Sequence, residues 1–251
     1  MYVNDLPIYY YFIIGIIGLA IGQYMDWVIK RLRAKERIIC KDFFKSYLKS
    51  FHINIPLMLI TALLYVLVLY FHGMSFQCLE YLLITPVLIG VFEIDRKDHI
   101  IPNRLILCLF EIGILFAILF GSGLVTGTNG ISVLIQKLSG MGAAFAIFYL
   151  IALLSKAISK KEGFGLGDVK LMAATGLIFG FSDVLIISLL SFLIAAVAII
   201  VLLILKKKKF KDYIAFGPFI AIATFISMFV PHGIMVFILL KIFTLGLYKS
   251  N

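Results

Sequence analysis

Cysteine is scarce in this chain, and acid is in short supply. The 251 residues include three cysteines, Cys40, Cys78 and Cys108. None belongs to a C-x-x-C pair, so neither a zinc motif nor a disulfide framework is indicated, and packing thiols are the expected role. Thirteen acidic residues face 23 Lys and Arg, for a formal net charge of +10. Three loops, His72–Gln77, Gly121–Gly130 and Ser182–Asp183, hold no Lys or Arg at all. The cations are therefore clustered, and that distribution points to a membrane and not to nucleic acid.

What the chain has in excess is apolar sequence. The hydrophobic fraction is 63% and the mean hydropathy +1.10, against roughly 45–50% apolar for a soluble protein. Apolar segments recur at Ile8–Ile29, Ile53–Phe71, Cys78–Ile94, Leu105–Phe120, Ile131–Leu154, Val169–Phe181, Val184–Leu205, Ile214–Val230 and Ile234–Leu247. Their lengths predict an all-α polytopic bundle of eight or nine transmembrane helices. The first segment is too long for a signal-peptide core and lacks a basic n-region, so it is expected to be retained.

The basic residues fall in four clusters. These are 30–50 (Lys30, Arg31, Arg33, Lys35, Arg37, Lys41, Lys45, Lys49), 95–104 (Arg96, Lys97, Arg104), 155–170 (Lys156, Lys160, Lys161, Lys170) and Lys206–Lys209 with Lys211. They alternate with the cation-free loops. The positive-inside rule then places the N-terminus outside and all four clusters in the cytoplasm. Asp95 and Asp168 come to the same, cytoplasmic side. Contact with anionic headgroups accounts for most of these cations.

Most of the acids have ordinary settings. Glu36, Asp42, Glu162 and Asp212 sit among lysines as solvated partners, Asp98 sits between Lys97 and His99 as a solvated loop residue, and Asp5 and Asp183 lie at outer loop edges. Asp26, Glu80, Glu93 and Glu111 fall in or near apolar spans and are expected to pair or to reach an interface. Asp168 follows Gly163, Gly165 and Gly167, whose missing side chains offer positive φ or close approach of another segment. An Asp capping the helix at Val169 is the plain alternative. Asp95 stands in the loop Asp95–Arg104, in which Pro102 and Asn103 open the next helix.

Taken together, Asp95, then Pro102-Asn103, then Gly165-Leu166-Gly167-Asp168-Val169-Lys170-Leu171 resemble the type IV prepilin peptidase family, a group of G-x-G-D membrane aspartyl proteases. Ala174, Gly176, Gly180 and Phe216-Gly217-Pro218-Phe219 extend the resemblance, which covers roughly Phe92 to Phe225. It implies a single membrane domain over residues 1–251. Residues 1–52 would form a first helix with a short basic loop, and residues 78–230 a peptidase core. By resemblance Asp95 and Asp168 are the catalytic aspartates, Gly165, Gly167 and Lys170 the loop supporting Asp168, and Pro102, Asn103, Gly217 and Pro218 structural motif positions.

The resemblance also implies prepilin or pseudopilin substrates, a multi-pass location in the cytoplasmic membrane and an active site facing the cytoplasm. Two close carboxylates share one proton, so hydrolysis needs no metal or cofactor. The family's second activity, N-methylation, would use S-adenosylmethionine. The loop Lys30–Ser50 is short and holds only Cys40, so the zinc motif of bifunctional members is absent. Gln23 and Asp26 replace small or neutral residues of the family's first span. Three alternatives stay open: a transporter or channel lined by boundary carboxylates, an inactive assembly factor, and a related G-x-G-D peptidase for another class of signal peptide. Against the transporter, the halves show no repeat and both aspartates lie at one face.

Overall fold

A computed structural model describes residues 2–3, 6–37, 47, 53–123, 125, 130–159, 165–205 and 214–244. Cys40, Gly163, Lys160, Lys161 and the Lys206–Lys209 run lie outside the described residues, as do Asp5, Asp42, Glu162 and Asp212. The chain divides into two compact units, Met1–Ile112 and Gly113–Asn251.

The first unit opens with a minimal antiparallel pair, β1 (Tyr2–Val3) and β2 (Leu6–Pro7), which pairs Tyr2 with Pro7. Three helices follow, α1 (Ile8–Arg33), α2 (Ile55–His72) and α3 (Phe76–Asp98), and α4 (Asn103–Gly121) begins in this unit. Helices α1 and α3 each end four residues past the apolar stretch that predicts them, whereas α2 begins two residues inside its own. Asn54 caps α2 by accepting from the Leu57 N–H at 3.3 Å, and Ser75 caps α3 through Cys78 at 3.0 Å. Helices α1 and α2 touch at Gly18 and Gly22. A Cβ on Gly18 would stand 2.6 Å from the Ala62 Cα, and one on Gly22 2.8 Å from the Met58 Cα. Only glycine permits that approach. The Tyr65 hydroxyl donates to the Leu82 carbonyl at 2.9 Å, tying α2 to α3.

The second unit holds α5 (Gly130–Ser159), α6 (Leu166–Phe179), α7 (Phe181–Ile204), α8 (Gly217–Phe229) and α9 (His232–Phe243). Helix α6 is short, and ten of its fourteen residues are buried. It packs against α5, α7 and α8, as expected of a helix that is apolar all round. Helices α5 and α6 meet backbone to backbone at Gly140 and Gly176. At the far end of α6 the buried Lys137 donates to the Ile178 carbonyl at 2.6 Å. That ammonium satisfies one of the last carbonyls of the helix and complements the negative end of its dipole.

Among the described residues six helices, α1 to α5 and α7, are long and apolar enough to cross a membrane, and α8 and α9 are shorter apolar helices. With α6 this makes nine among the described residues, at the nine positions the hydropathy pattern predicts.

Candidate active site

Asp95 lies in the last turn of α3, and not in the loop where the sequence placed it. The helix continues to Asp98 because Arg96, Lys97 and Asp98 are all compatible with a final turn. The stop is His99, which adopts the left-handed conformation (φ 55°) and donates its N–H to the Asp95 carbonyl at 2.9 Å. Left-handed geometry in a residue with a Cβ costs about 1–2 kcal/mol. Next, Pro102 starts α4 as its sequence suggests, its carbonyl accepting from the Leu105 N–H at 3.0 Å. Asp95 itself is 4% exposed.

The charges around Asp95 are ordered. Glu93 binds both following cations, Arg96 at 3.0 Å and Lys97 at 2.9 Å. Asp98 is not a solvated loop residue. Arg33, the last residue of α1, grips it bidentately, Nε to Oδ2 at 2.6 Å and Nη2 to Oδ1 at 2.7 Å. Nothing local reveals this pair, whose members are 65 residues apart.

A polar cleft of about 220 Å³ opens beside this turn, lined by Asp26, Asn54, Glu93, Arg96 and Lys97 with apolar Leu57. Asp26, one of the departures in the first span, is buried and engaged. It binds Lys30 at 2.5 Å and accepts from Asn54 Nδ2 at 2.7 Å. Gln23 accepts from the Asn54 backbone N–H at 3.4 Å. The two residues that depart from the family thus anchor the start of α2. Glu80 is also buried, but in the second turn of α3, about 22 Å along the helix from Asp95. Glu111 is exposed.

In the second unit, Asp168 lies in the first turn of α6 and is 5% exposed. The helix begins at Leu166, three residues before the apolar run does. Gly165 is its N-cap, with φ −78° and ψ 140°, and its carbonyl accepts from the Asp168 N–H at 3.1 Å. Two readings of the sequence are revised here, the positive-φ half of the glycine expectation and the supporting loop. Gly165 and Gly167 do not use positive φ: Gly165 is extended and Gly167 is helical. Gly167 and Lys170 also belong to the helix itself and not to a supporting loop, and Lys170 is exposed. A carboxylate in the first turn is favoured by the positive end of the helix dipole. Asp168 therefore has an electrostatic reason to be there that a loop would not supply.

The remaining motif positions sit at helix starts. Asn103 opens α4, while Gly217 and Pro218 open α8 and are buried. Pro218 fits the first turn because its missing N–H has no partner to lose there. Asp183 is in the first turn of α7, where it meets His232 Nδ1 at 2.6 Å. Among the described residues no group of three or more His, Cys, Asp or Glu is placed to hold a metal ion.

Fold and site together define a polytopic α-helical membrane protein with two buried aspartates, each at one end of a helix and each within a distinctive motif. Residues 81–200 match the model of the type IV leader peptidase family, and the chain belongs to that family. It is similar to the prepilin leader peptidase/N-methyltransferase of Aeromonas salmonicida (strain A449), 34% identical over 170 residues, covering 68% of this chain and 55% of that protein. The protein of the same name from Aeromonas hydrophila is 34% identical over 170 residues, with 68% and 56% covered. That of Neisseria gonorrhoeae is 31% identical over 175 residues, with 69% and 57% covered. The chain thus spans a little over half the length of these relatives. No solved structure matches significantly.

Proposed function

We propose that this chain is a membrane aspartyl endopeptidase that removes the short basic leader of prepilins or pseudopilins at the cytoplasmic face of the cytoplasmic membrane. The observation that carries this reading is the state of Asp95 and Asp168. Both match the family's motif aspartates and both are buried, at 4% and 5% exposure, within strongly apolar helices. Carboxylates in such settings are expensive and are functional-site candidates; Glu80 is as deeply buried, but only Asp95 and Asp168 also stand in the motifs. Asp26, which is also buried, belongs to no such motif and is held by Lys30 and Asn54. A transporter reading has no comparable support from the relatives.

The chemistry follows from two carboxylates acting as one unit. They share a proton, because both ionising in proximity is unfavourable. The ionised member takes a proton from water as that water attacks the scissile carbonyl. The protonated member polarises the carbonyl oxygen and then delivers its proton to the leaving amine. The pair titrates as a whole. A substrate suited to this face carries a charged leader in the cytoplasm and an apolar helix in the bilayer. A glycine at the cut lets its backbone reach a crowded site.

Co-expression with a candidate prepilin, followed by mass spectrometry of the mature N-terminus, tests the activity. Cleavage after the leader's last glycine is expected. A cut on the outer side of the pilin helix, or unchanged processing when the gene is deleted, would end the proposal. The same spectrum reads N-methylation, for which S-adenosylmethionine would be the methyl-donating substrate.

Orientation has its own test. A Ser122→Cys variant, in a chain whose native cysteines are replaced by serine, is expected to react with impermeant maleimide only from outside. Labelling from the cytoplasmic side would reverse the assigned topology.

A further inference from the structure

The end of α1 and the end of α3 are tied together by contacts that neither the motif nor the proposed chemistry requires. Helix α1 closes with a Schellman turn: the Glu36 N–H donates to the Arg31 carbonyl at 2.9 Å and the Lys35 N–H to the Leu32 carbonyl at 3.1 Å. Lys35 takes the left-handed conformation at φ 56°. Helix α3 closes on another left-handed residue, His99. Across these two turns Arg33 reaches forward to Asp98 with both ends of its guanidinium fork. Arg104, in the first turn of α4, reaches back and donates to the Glu36 carbonyl at 2.7 Å. The Glu36 carboxylate meets Arg31 at 3.2 Å. The turn between α3 and α4 is therefore strapped to the end of α1 in both directions.

We propose that Arg33 is a positioning residue for Asp95, acting through Asp98, a role that rests on Asp95 being catalytic. Asp98 follows Asp95 by three residues, so the two share one turn and one side of α3. Fixing the Asp98 carboxylate at two points fixes the rotation of that turn, and the His99 bond fixes the Asp95 carbonyl. Helix ends otherwise open readily. Arg96 and Lys97, the cations on the same helix that could compete for Asp98, are both bound by Glu93. Arg33 is thus left as the cation that holds Asp98 in the fork.

A stabilising surface ion pair is the plain alternative, and its energetics argue against it. The Arg33 and Asp98 side chains are 40% and 30% exposed, and exposed pairs add little to stability. What a bidentate fork supplies beyond attraction is a fixed orientation. A catalytic group displaced by one ångström loses about a hundredfold in rate.

The experiment uses the full-length protein in liposomes and a synthetic substrate, a short basic leader ending in glycine joined to an apolar helix of about 20 residues. Arg33→Gln and Asp98→Asn are each expected to lower kcat about tenfold to a hundredfold. KM and the thermal unfolding midpoint should stay near wild type. Arg33→Lys, which keeps the charge and loses the fork, should fall between. The exchanged pair Arg33→Asp with Asp98→Arg should recover most of the lost rate.

Single variants within about twofold of wild type would overturn the proposal, as would an exchanged pair that folds normally and cleaves no better than the singles. If the exchanged pair fails to accumulate, the lysine and glutamine variants decide, and equal losses in both would overturn the fork. Asp95→Asn is the control. Full activity there removes Asp95 from catalysis and the positioning role with it, whereas an inactive Asp95→Asn beside a fully active Arg33→Gln removes the positioning role alone.

Discussion

Asp95→Asn and Asp168→Asn are each expected to reduce leader cleavage by at least about 10³-fold while the protein still accumulates in the membrane. Asparagine keeps the shape of the side chain and can still donate a hydrogen bond, but it neither accepts a proton from water nor shares one. Both losses should be similar in size, because each variant disables the same unit, and the double variant should be scarcely worse than either single. The measurement is single-turnover cleavage at saturating enzyme, with membrane content read by immunoblot. Near-normal cleavage by Asp95→Asn would refute the dyad and turn attention to Glu93. Asp98 would be the weaker substitute, since its carboxylate is already occupied by Arg33. Burial sharpens the expectation. A neutral amide is easier than a carboxylate to keep buried at 4% or 5% exposure, so loss of activity without loss of protein separates chemistry from folding.

The second large effect concerns stability. Gly176→Ala and Gly140→Ala should each destabilise the protein by about 1–3 kcal/mol, and valine at either site by more. A Cβ on Gly176 would stand 2.7 Å from the Gly140 carbonyl carbon and 3.0 Å from the Met141 nitrogen, and one on Gly140 would stand 2.7 Å from the Phe181 nitrogen. Those neighbours are backbone, so no side chain can turn aside to make room. The two helices must part instead. Thermal unfolding in a mild detergent reads the loss, and an unchanged midpoint for Gly176→Ala would show that the contact yields freely. Activity should fall as well, since Gly176 is eight residues from Asp168, about 12 Å along the same helix.

The helices and the two aspartates are visible in the sequence for separate reasons. An apolar run of about 20 residues matches the thickness of a bilayer core, so each span is legible to within a few residues. The ends are less so, because a helix stops where its backbone finds a cap and not where hydropathy changes. Asn54 and Ser75 are conventional caps. Lys35 and His99 are not, as both hold a left-handed conformation that composition would assign to glycine. The reverse holds at Gly165 and Gly167, where glycine suggests positive φ and the chain is extended or helical. Asp98 looks solvated in the sequence because its partner, Arg33, is distant, and no periodicity links the end of one helix to the end of another two helices later. Asp26 is legible only as a carboxylate that needs a partner, and Lys30 and Asn54 supply it.

The shortness of α6 bears on how the second unit meets its solvent. Fourteen residues make a helix about 21 Å long, whereas the hydrocarbon layer is about 30 Å thick. Both of its ends are nonetheless polar. Asp168 stands at one, and the Lys137 ammonium with the Asp183–His232 pair lies toward the other. Longer helices, α5 and α7, flank it, so the lipid has no need to match its length. Taken alone, α6 falls about 9 Å short of that hydrocarbon thickness, and its longer neighbours α5 and α7 make up the difference.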